Sequence, residues 1–267
     1  MRNPEPGTVD RAMGRLRAYW DGIGLAPEER VYAEFQARRY PHLLKFWLDR
    51  PGLRFPRALD LGGGVGGVSV ALHSAIGGEY DLAEYQKLPA ERLAVARGFG
   101  IREAYRSDLT EEDPLREIPG RYPAILLVEV LEHLLVNPRA LVRSFRDHLE
   151  PGGFLFVTTP NMARLTSRIR LLRGLSIREF NSFPEAARGP FGHVAEYTLS
   201  DLTELFQQEG YTCRSATIVQ NPPTPPGLPV RSQSRGAARR FGAWMLDRPG
   251  IRPFGLGDEI QALFQRS

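Results

Sequence analysis

ALDLGGGVGG, residues Ala58 to Gly67, decides the fold. A short apolar strand, RALDL, runs into six positions of which only Val65 is not glycine. Glycine lets the backbone turn sharply and approach a ligand without a Cβ in the way. The segment from Gly66 to Ile76 then places Val68, Ala71 and Leu72 on one helical face. The free N–H groups at the start of that helix point back to the turn. A strand, a glycine turn and a helix in this order open a doubly wound α/β fold.

The same rhythm continues downstream. GEYDLAE and IREAYRSD read as strands, with a helix from Pro89 to Phe99 between them that turns Leu93 and Ala96 inward. PAILLVEV is an unbroken apolar run, as expected of a strand covered on both faces. PRALVRSFRDHLE is an amphipathic helix with Leu141, Val142 and Phe145 inward, and GFLFVTTP is the next strand. Thr198 and Asp201 form a capping box ahead of the stripe Leu202, Leu205 and Phe206. YTCRSATIV and EIQALFQ close the series as strands, which predicts a mostly parallel seven-stranded sheet.

Three segments are expected around this pattern. Residues 1–56 read as an N-terminal helical cap, with helices at Arg11–Trp20 and Val31–Leu48. Residues 57–160 and 199–267 form the core. Residues 161–198 break the rhythm and are too long for a plain connection, so they read as a lid that shapes a substrate site. A basic helix is expected at 232–246 after a proline-rich connector.

The glycines fit two cofactor templates. Gly62, Gly64 and Gly67 spell the G-x-G-x-x-G of a dinucleotide turn. Asp60, Gly62, Gly64 and Gly66 spell the D-x-G-x-G-x-G of a turn that holds S-adenosylmethionine. Asp60 separates them by charge. A carboxylate repels a pyrophosphate but suits S-adenosylmethionine, whose sulfonium and ammonium outweigh its one carboxylate. Glu84, at the tip of YDLAE, is the ribose-binding acid under either template, with Asp81 as its alternative. Asp108 in RSDL reads either as an adenine contact or as a turn aspartate.

The ordered series ALDLGGGVGG, YDLAE, RSDL, YPAILLVEVLEHL, LEPGGFLFVTTPN and GHVAEYTLSDLTELFQQEGY resembles the class I S-adenosylmethionine-dependent methyltransferases. The resemblance covers about residues 57–220 and is nearest to small-molecule enzymes such as the ubiquinone-biosynthesis O-methyltransferases and sugar and natural-product methyltransferases. It implies that Asp60, Gly62, Gly64 and Gly66 surround the methionine end of the cofactor, and that Glu84 holds the ribose. Asp108 and Leu109 would contact the adenine, Glu129 would line the cofactor near its sulfur, and Arg39 would meet the methionine carboxylate. The family often carries Cys or Ser where this chain has Gly63. The second strand also departs from the family's hydrophobic-Gly-hydrophobic-Asp pattern.

The implied reaction is methyl transfer to a small-molecule hydroxyl. An oxygen nucleophile has to lose its proton, and histidine is the natural base near neutral pH. His133 in LEHL and His193 in FGHVAEYT are the candidates, each with a purely structural role as the alternative. His42, His73 and His148 fall in helices away from the strand tips. No acids and histidines stand at metal-ligand spacing, so no metal site is expected. The alternatives from other classes are an NAD(P)-dependent oxidoreductase and a catalytically silent protein that retains S-adenosylmethionine.

Composition limits the partners. All but Lys45 and Lys87 of the 35 basic residues are arginine, and the net charge of +4 is mild. No compact basic run marks a nucleic-acid site, and EVLEH replaces the polar-Pro-Pro-aromatic motif of amino-methylating enzymes. Lid arginines 164, 168, 170, 173 and 178 suit an anionic substrate; the alternative is a solvated helix face with Leu165, Ile169 and Leu172 as its buried stripe. RSQSRGAARRFGAWML is similar: membrane contact is the lesser reading and packing on the core the greater. No run nears the roughly 20 apolar residues of a membrane span, and the first 15 residues lack a signal-peptide core. The expectation is a cytoplasmic protein whose oligomeric state stays open. The single cysteine, Cys213, excludes an internal disulfide.

Overall fold

The computed structural model describes residues 7–177, 193–222 and 255–267. The expected basic helix at 232–246, Arg178 and the middle of the expected lid lie outside these residues. Seven strands form one sheet: β1 (Arg57–Leu61), β2 (Glu79–Glu84), β3 (Ile101–Arg106), β4 (Tyr122–Val128), β5 (Leu149–Pro160), β6 (Tyr211–Val219) and β7 (Glu259–Arg266). Their order is β3-β2-β1-β4-β5-β7-β6. The first five are parallel, and β7 runs antiparallel between β5 and β6.

Eight helices are described: α1 (Thr8–Gly22), α2 (Pro27–Ala37), α3 (Tyr40–Leu48), α4 (Gly67–Ile76), α5 (Ala90–Arg97), α6 (Pro138–His148), α7 (Leu165–Leu172) and α8 (Leu199–Gln208). One face of the sheet packs on α4, α5 and the N-terminal helices, where Leu16, Trp20, Leu44 and Trp47 share a core with Val70, Leu82 and Phe156. The other face packs on α6 and α8 through Leu141, Phe145, Leu202 and Phe206. Residues before β1 therefore share the sheet's own core rather than forming a separate one. Burying Trp47 and Phe46 against Phe156 removes two large aromatic surfaces from water, a gain on the order of 2–3 kcal/mol for each side chain.

Two expectations change. Val31–Leu48 is not one helix, because Pro41 has no N–H to give and its ring crowds the preceding turn. The chain breaks after Ala37 and restarts at Tyr40, which leaves Arg39 at the N-cap of α3. In α7 the stripe Leu165, Ile169 and Leu172 is not buried; Ser167 is the buried residue, and Leu172 is 88% exposed. The helix is fixed by its N-terminal end, where Leu165 N–H donates to the Leu256 carbonyl at 3.0 Å. Among the described residues, no helix is long and apolar enough to cross a membrane.

Candidate functional site

The order of strands reverses between β1 and β4, so their C-terminal tips open a crevice. The glycine turn leaves β1 at this point. Gly62, Gly64 and Gly66 all have positive φ, at 75°, 56° and 83°. A Cβ on Gly66 would come 2.4 Å from Ile101 Cδ1, so only glycine lets the turn lie against β3. A Cβ on Gly64 would meet nothing within 4 Å, which leaves the outer side of the turn open to a ligand. The N-terminal helices brace the turn from below. The Tyr19 hydroxyl donates to the Val65 carbonyl at 2.5 Å.

Asp60 is fully buried beneath the turn. The Ser69 hydroxyl donates to its Oδ2 at 2.6 Å, while Oδ1 accepts no hydrogen bond among the described residues. Burial pushes the carboxyl up to about 6, against the Ser69 hydrogen bond. A Cβ on Gly63 would lie 2.6 Å from Asp60 Cγ. A side chain at position 63 would crowd the Asp60 carboxylate. A buried carboxyl with one unsatisfied oxygen below an open backbone cradle suits a cationic ligand better than a pyrophosphate.

The tip of β2 closes one side. Glu84 accepts from Gly64 N–H at 2.9 Å and from Tyr85 N–H at 2.9 Å. The alternative acid, Asp81, is committed elsewhere: it is buried and receives Arg57, Arg102 and the Tyr122 hydroxyl, each within 3.1 Å. These donors hold it below the usual carboxylate range against the opposing effect of burial. Asp108 accepts from the Thr110 N–H and hydroxyl at 3.0 and 2.7 Å, the geometry of a turn aspartate. Leu109 is partly buried against the second core.

Across the crevice, β4 is followed directly by Glu129, the one non-glycine residue with positive φ among the described residues, at 57°. Such a conformation costs about 1–2 kcal/mol. It is held by Glu129 N–H to the Thr158 carbonyl and by the Thr158 hydroxyl to Glu129 Oε1, both at 3.0 Å. Glu129 Oε2 accepts from the Arg39 guanidinium, which also donates to Gln36. Arg39 lies 4.0 Å from Glu259, at the start of β7. Burial raises Glu259 to about 7 and lifts Glu132 well above the carboxylate range, with Glu129 adding repulsion to both. The crevice floor is therefore lined with carboxyls that burial and mutual repulsion drive toward the neutral form, and Glu132 and Glu259 are members that sequence reasoning did not single out. EVLEH carried the signal for Glu132; Glu259, in a late strand, gave none.

The two candidate histidines converge. After β4 the chain makes a single 3₁₀ turn, Leu131–His133. Val194 and Ala195 N–H both donate to the Glu132 carbonyl, at 2.7 and 3.2 Å, and strap His193 beside that turn. The rings of His133 and His193 meet edge-on with centroids 5.2 Å apart. Ligand atoms of Glu132, His133 and His193 all lie within 4.8 Å of one another. Glu132 is fully buried, and its Oε1 accepts no hydrogen bond among the described residues. One carboxylate and two imidazoles are a donor set that could hold a divalent transition metal, a grouping that the sequence reading did not anticipate. No spacing rule could show it, because 60 residues separate the histidines.

The lid arginines are partly spent. Arg164 pairs with Glu196. The Nε atoms of Arg168 and Arg170 donate to the carbonyls of Ala163 and Ser176, both at 2.7 Å.

Comparison with known proteins reports the family and the fold. Residues 32–216 match the methyltransferase domain. A ubiquinone biosynthesis O-methyltransferase of Xanthomonas campestris is 30% identical over 156 residues, 57% of this chain and 60% of that protein. One of the same name from Xylella fastidiosa is 32% identical over 163 residues, 60% of this chain and 61% of that protein. The chain thus spans about three fifths of the length of the curated relatives it matches. Among solved structures, magnesium protoporphyrin IX methyltransferase from Synechocystis with bound SAH superposes with a TM-score of 0.52 at 11% identity, over 98% of this chain and 97% of that one. A SAM dependent methyltransferase from Archaeoglobus fulgidus gives a TM-score of 0.52 at 14% identity, over 86% and 94%. At these identities the structures report the fold. The domain match covers more than half of the sequence, and the chain belongs to the methyltransferase-domain family.

Proposed function

We propose that this protein transfers the methyl group of S-adenosylmethionine to a hydroxyl of a small molecule. The observation that carries this reading is the charge of the crevice. Asp60 lies buried beneath the glycine turn, and Glu129, Glu132 and Glu259 gather about Arg39 at the tip of β4 and the start of β7. A sulfonium and an ammonium are attracted to such a site, while the pyrophosphate of NAD is repelled. Family membership and the names of the relatives point the same way.

In this reading the Gly62–Gly66 turn and Arg39 receive the methionine end, and Glu84 the ribose hydroxyls. Asp108 and Leu109 border the adenine. Methyl transfer is an in-line displacement: the acceptor oxygen bonds to the methyl carbon, and the C–S pair stays on sulfur. The protein's contribution is chiefly alignment, which can supply about 7–11 kcal/mol of the barrier. The hydroxyl proton passes to an imidazole, His193 or His133, at the mouth of the crevice.

The grouping of Glu132, His133 and His193 favours a second reading of the same step. A divalent cation held there would acidify the acceptor hydroxyl as a Lewis acid. Glu132 Oε1, buried without a hydrogen bond, is the donor that a cation would satisfy.

Calorimetry with S-adenosylhomocysteine and with NAD tests the first reading. Binding of S-adenosylhomocysteine with no NAD binding is expected; NAD binding alone would end it. Turnover of methyl-labelled cofactor with simple phenols and cell extracts then identifies the acceptor. Repeating the assay after chelation, with Mg²⁺, Mn²⁺ or Zn²⁺ added back, separates the two readings of the proton step. Activity unaffected by chelation assigns it to imidazole.

A further inference from the structure

His193 does not stand by itself at the mouth of the crevice. Its Nδ1 lies 3.0 Å from Glu196 Oε1. Glu196 in turn receives both ends of the Arg164 guanidinium, Nη1 to Oε2 at 2.6 Å and Nη2 to Oε1 at 3.2 Å. The Arg164 and Glu196 side chains are only 18% and 15% exposed. Arg164 Nη1 also donates to the Asn161 carbonyl at 3.2 Å. Asn161 is anchored to the segment just before β7 by its side-chain amide, which donates to the carbonyls of Gly255 and Gly257 at 2.8 and 2.7 Å. A chain of contacts thus runs from the β5 end of the sheet through Arg164 and Glu196 to one ring nitrogen of His193.

We infer that Glu196, anchored by Arg164, is a positioning residue for His193: it accepts the Nδ1 proton and so keeps the Nε2 lone pair ready for the acceptor. This rests on the proposed role of His193 in the proton step. The ring nitrogen that carries the proton is set by the hydrogen bond the other nitrogen makes. An imidazole tied at Nδ1 to a carboxylate is a stronger base or ligand at Nε2, and its ring cannot rotate away.

Tethering alone does not account for the arrangement. The two ends of the 161–197 segment are already joined by backbone: Met162 N–H donates to the Tyr197 carbonyl at 2.9 Å, and Asn161 bridges Tyr197 in parallel register. A buried Arg–Glu pair adds little to that join, since the desolvation of two ions offsets much of their attraction. What the pair adds is an ionised carboxylate at a fixed place. Burial by itself would push Glu196 up; the hydrogen bonds from His193 and Arg164 outweigh it and hold the carboxyl below its ordinary range.

The test reads the tautomer directly. In the full-length protein labelled with ¹⁵N-histidine, long-range ¹H–¹⁵N spectra should show His193 with its proton on Nδ1. Glu196→Ala should convert His193 mainly to the Nε2–H form. It should lower kcat about 10–100-fold, the range for loss of such a supporting carboxylate, with KM for S-adenosylmethionine within twofold. Glu196→Gln, which is isosteric, covers the case in which the alanine variant does not fold. Its amide oxygen can still accept from Nδ1 but carries no charge, so the tautomer should persist while kcat falls. Arg164→Ala should give an intermediate loss. An unchanged His193 tautomer in Glu196→Ala overturns the inference, as does a changed tautomer with full kcat. The tautomer is read without turnover, so failure of the wild-type protein to bind S-adenosylhomocysteine would count against the proposed function separately.

Discussion

Arg39 and Glu129 form an ion pair that joins the break between α2 and α3 to the strained tip of β4. The guanidinium that family resemblance assigns to the cofactor carboxylate is therefore already met by a carboxylate of the protein. In the proposed reading, a cofactor carboxylate at Arg39 has to share the guanidinium with Glu129 or displace it. Removing Arg39 leaves Glu129 and Glu259 facing each other without a cation. Arg39→Ala should lower stability by about 3 kcal/mol, the scale for breaking a buried pair from one side. Urea denaturation measures this. A loss below about 1 kcal/mol would mean that water screens the pair.

Gly63 and Asp60 should behave as one unit. Gly63→Ala drives a methyl group into the Asp60 carboxylate, whose Cγ would be 2.6 Å away. Overpacking of this kind costs about 1–3 kcal/mol. Thermal melts should show the loss, and it should shrink in the Gly63→Ala, Asp60→Gly double variant. Additive losses would show that the turn moves aside without touching Asp60.

Asp60 also predicts the sign of a pH dependence. Its carboxyl is raised in the folded protein to about 6 by burial, above the unfolded value near 4. The native state therefore holds this proton more tightly than the unfolded chain. The stability it contributes is full below about pH 4 and is lost as pH rises through about 6, a change of up to about 3 kcal/mol. The difference in urea-unfolding free energy between wild type and Asp60→Asn should change over that window and be flat above pH 7. A difference independent of pH between 4 and 7 would show that Asp60 ionises normally.

Glu84 links cofactor and turn. Its Oε2 holds the Gly64 N–H, so Glu84→Ala removes a charged hydrogen bond from the cradle and from any ribose above it. Affinity for S-adenosylhomocysteine should fall by about 1–3 kcal/mol in calorimetry. Circular dichroism should be unchanged, because Glu84 lies outside both cores. Undiminished affinity would place the ribose elsewhere.

The sheet was legible in sequence because each strand–helix unit is local. Apolar runs such as AILLV and helix faces such as Leu141–Val142–Phe145 declare their burial within a dozen residues. The glycine turn and Glu84 are equally local to β1 and β2. The crevice wall was not, because it is assembled from distant segments. Glu129, Glu132, His193 and Glu259 meet only when β7 inserts between β5 and β6 and the 193–195 strap returns to Glu132. Pro41 was a readable sign of the break that turns Arg39 inward. The exposed face of α7 was not readable, since periodicity shows a stripe but not whether anything covers it.

The backbone join between Asn161 and Tyr197 has an evolutionary consequence. The ends of the intervening segment are clamped side by side to the sheet edge, and lengthening a closed loop costs only about 0.6 kcal/mol per doubling. A change in the length of the segment is therefore cheap so long as Arg164, His193 and Glu196, near its two ends, keep their places. Length variants that keep Asn161, Arg164, His193, Glu196 and Tyr197 are the natural way to alter the segment while keeping the proton-handling groups in place.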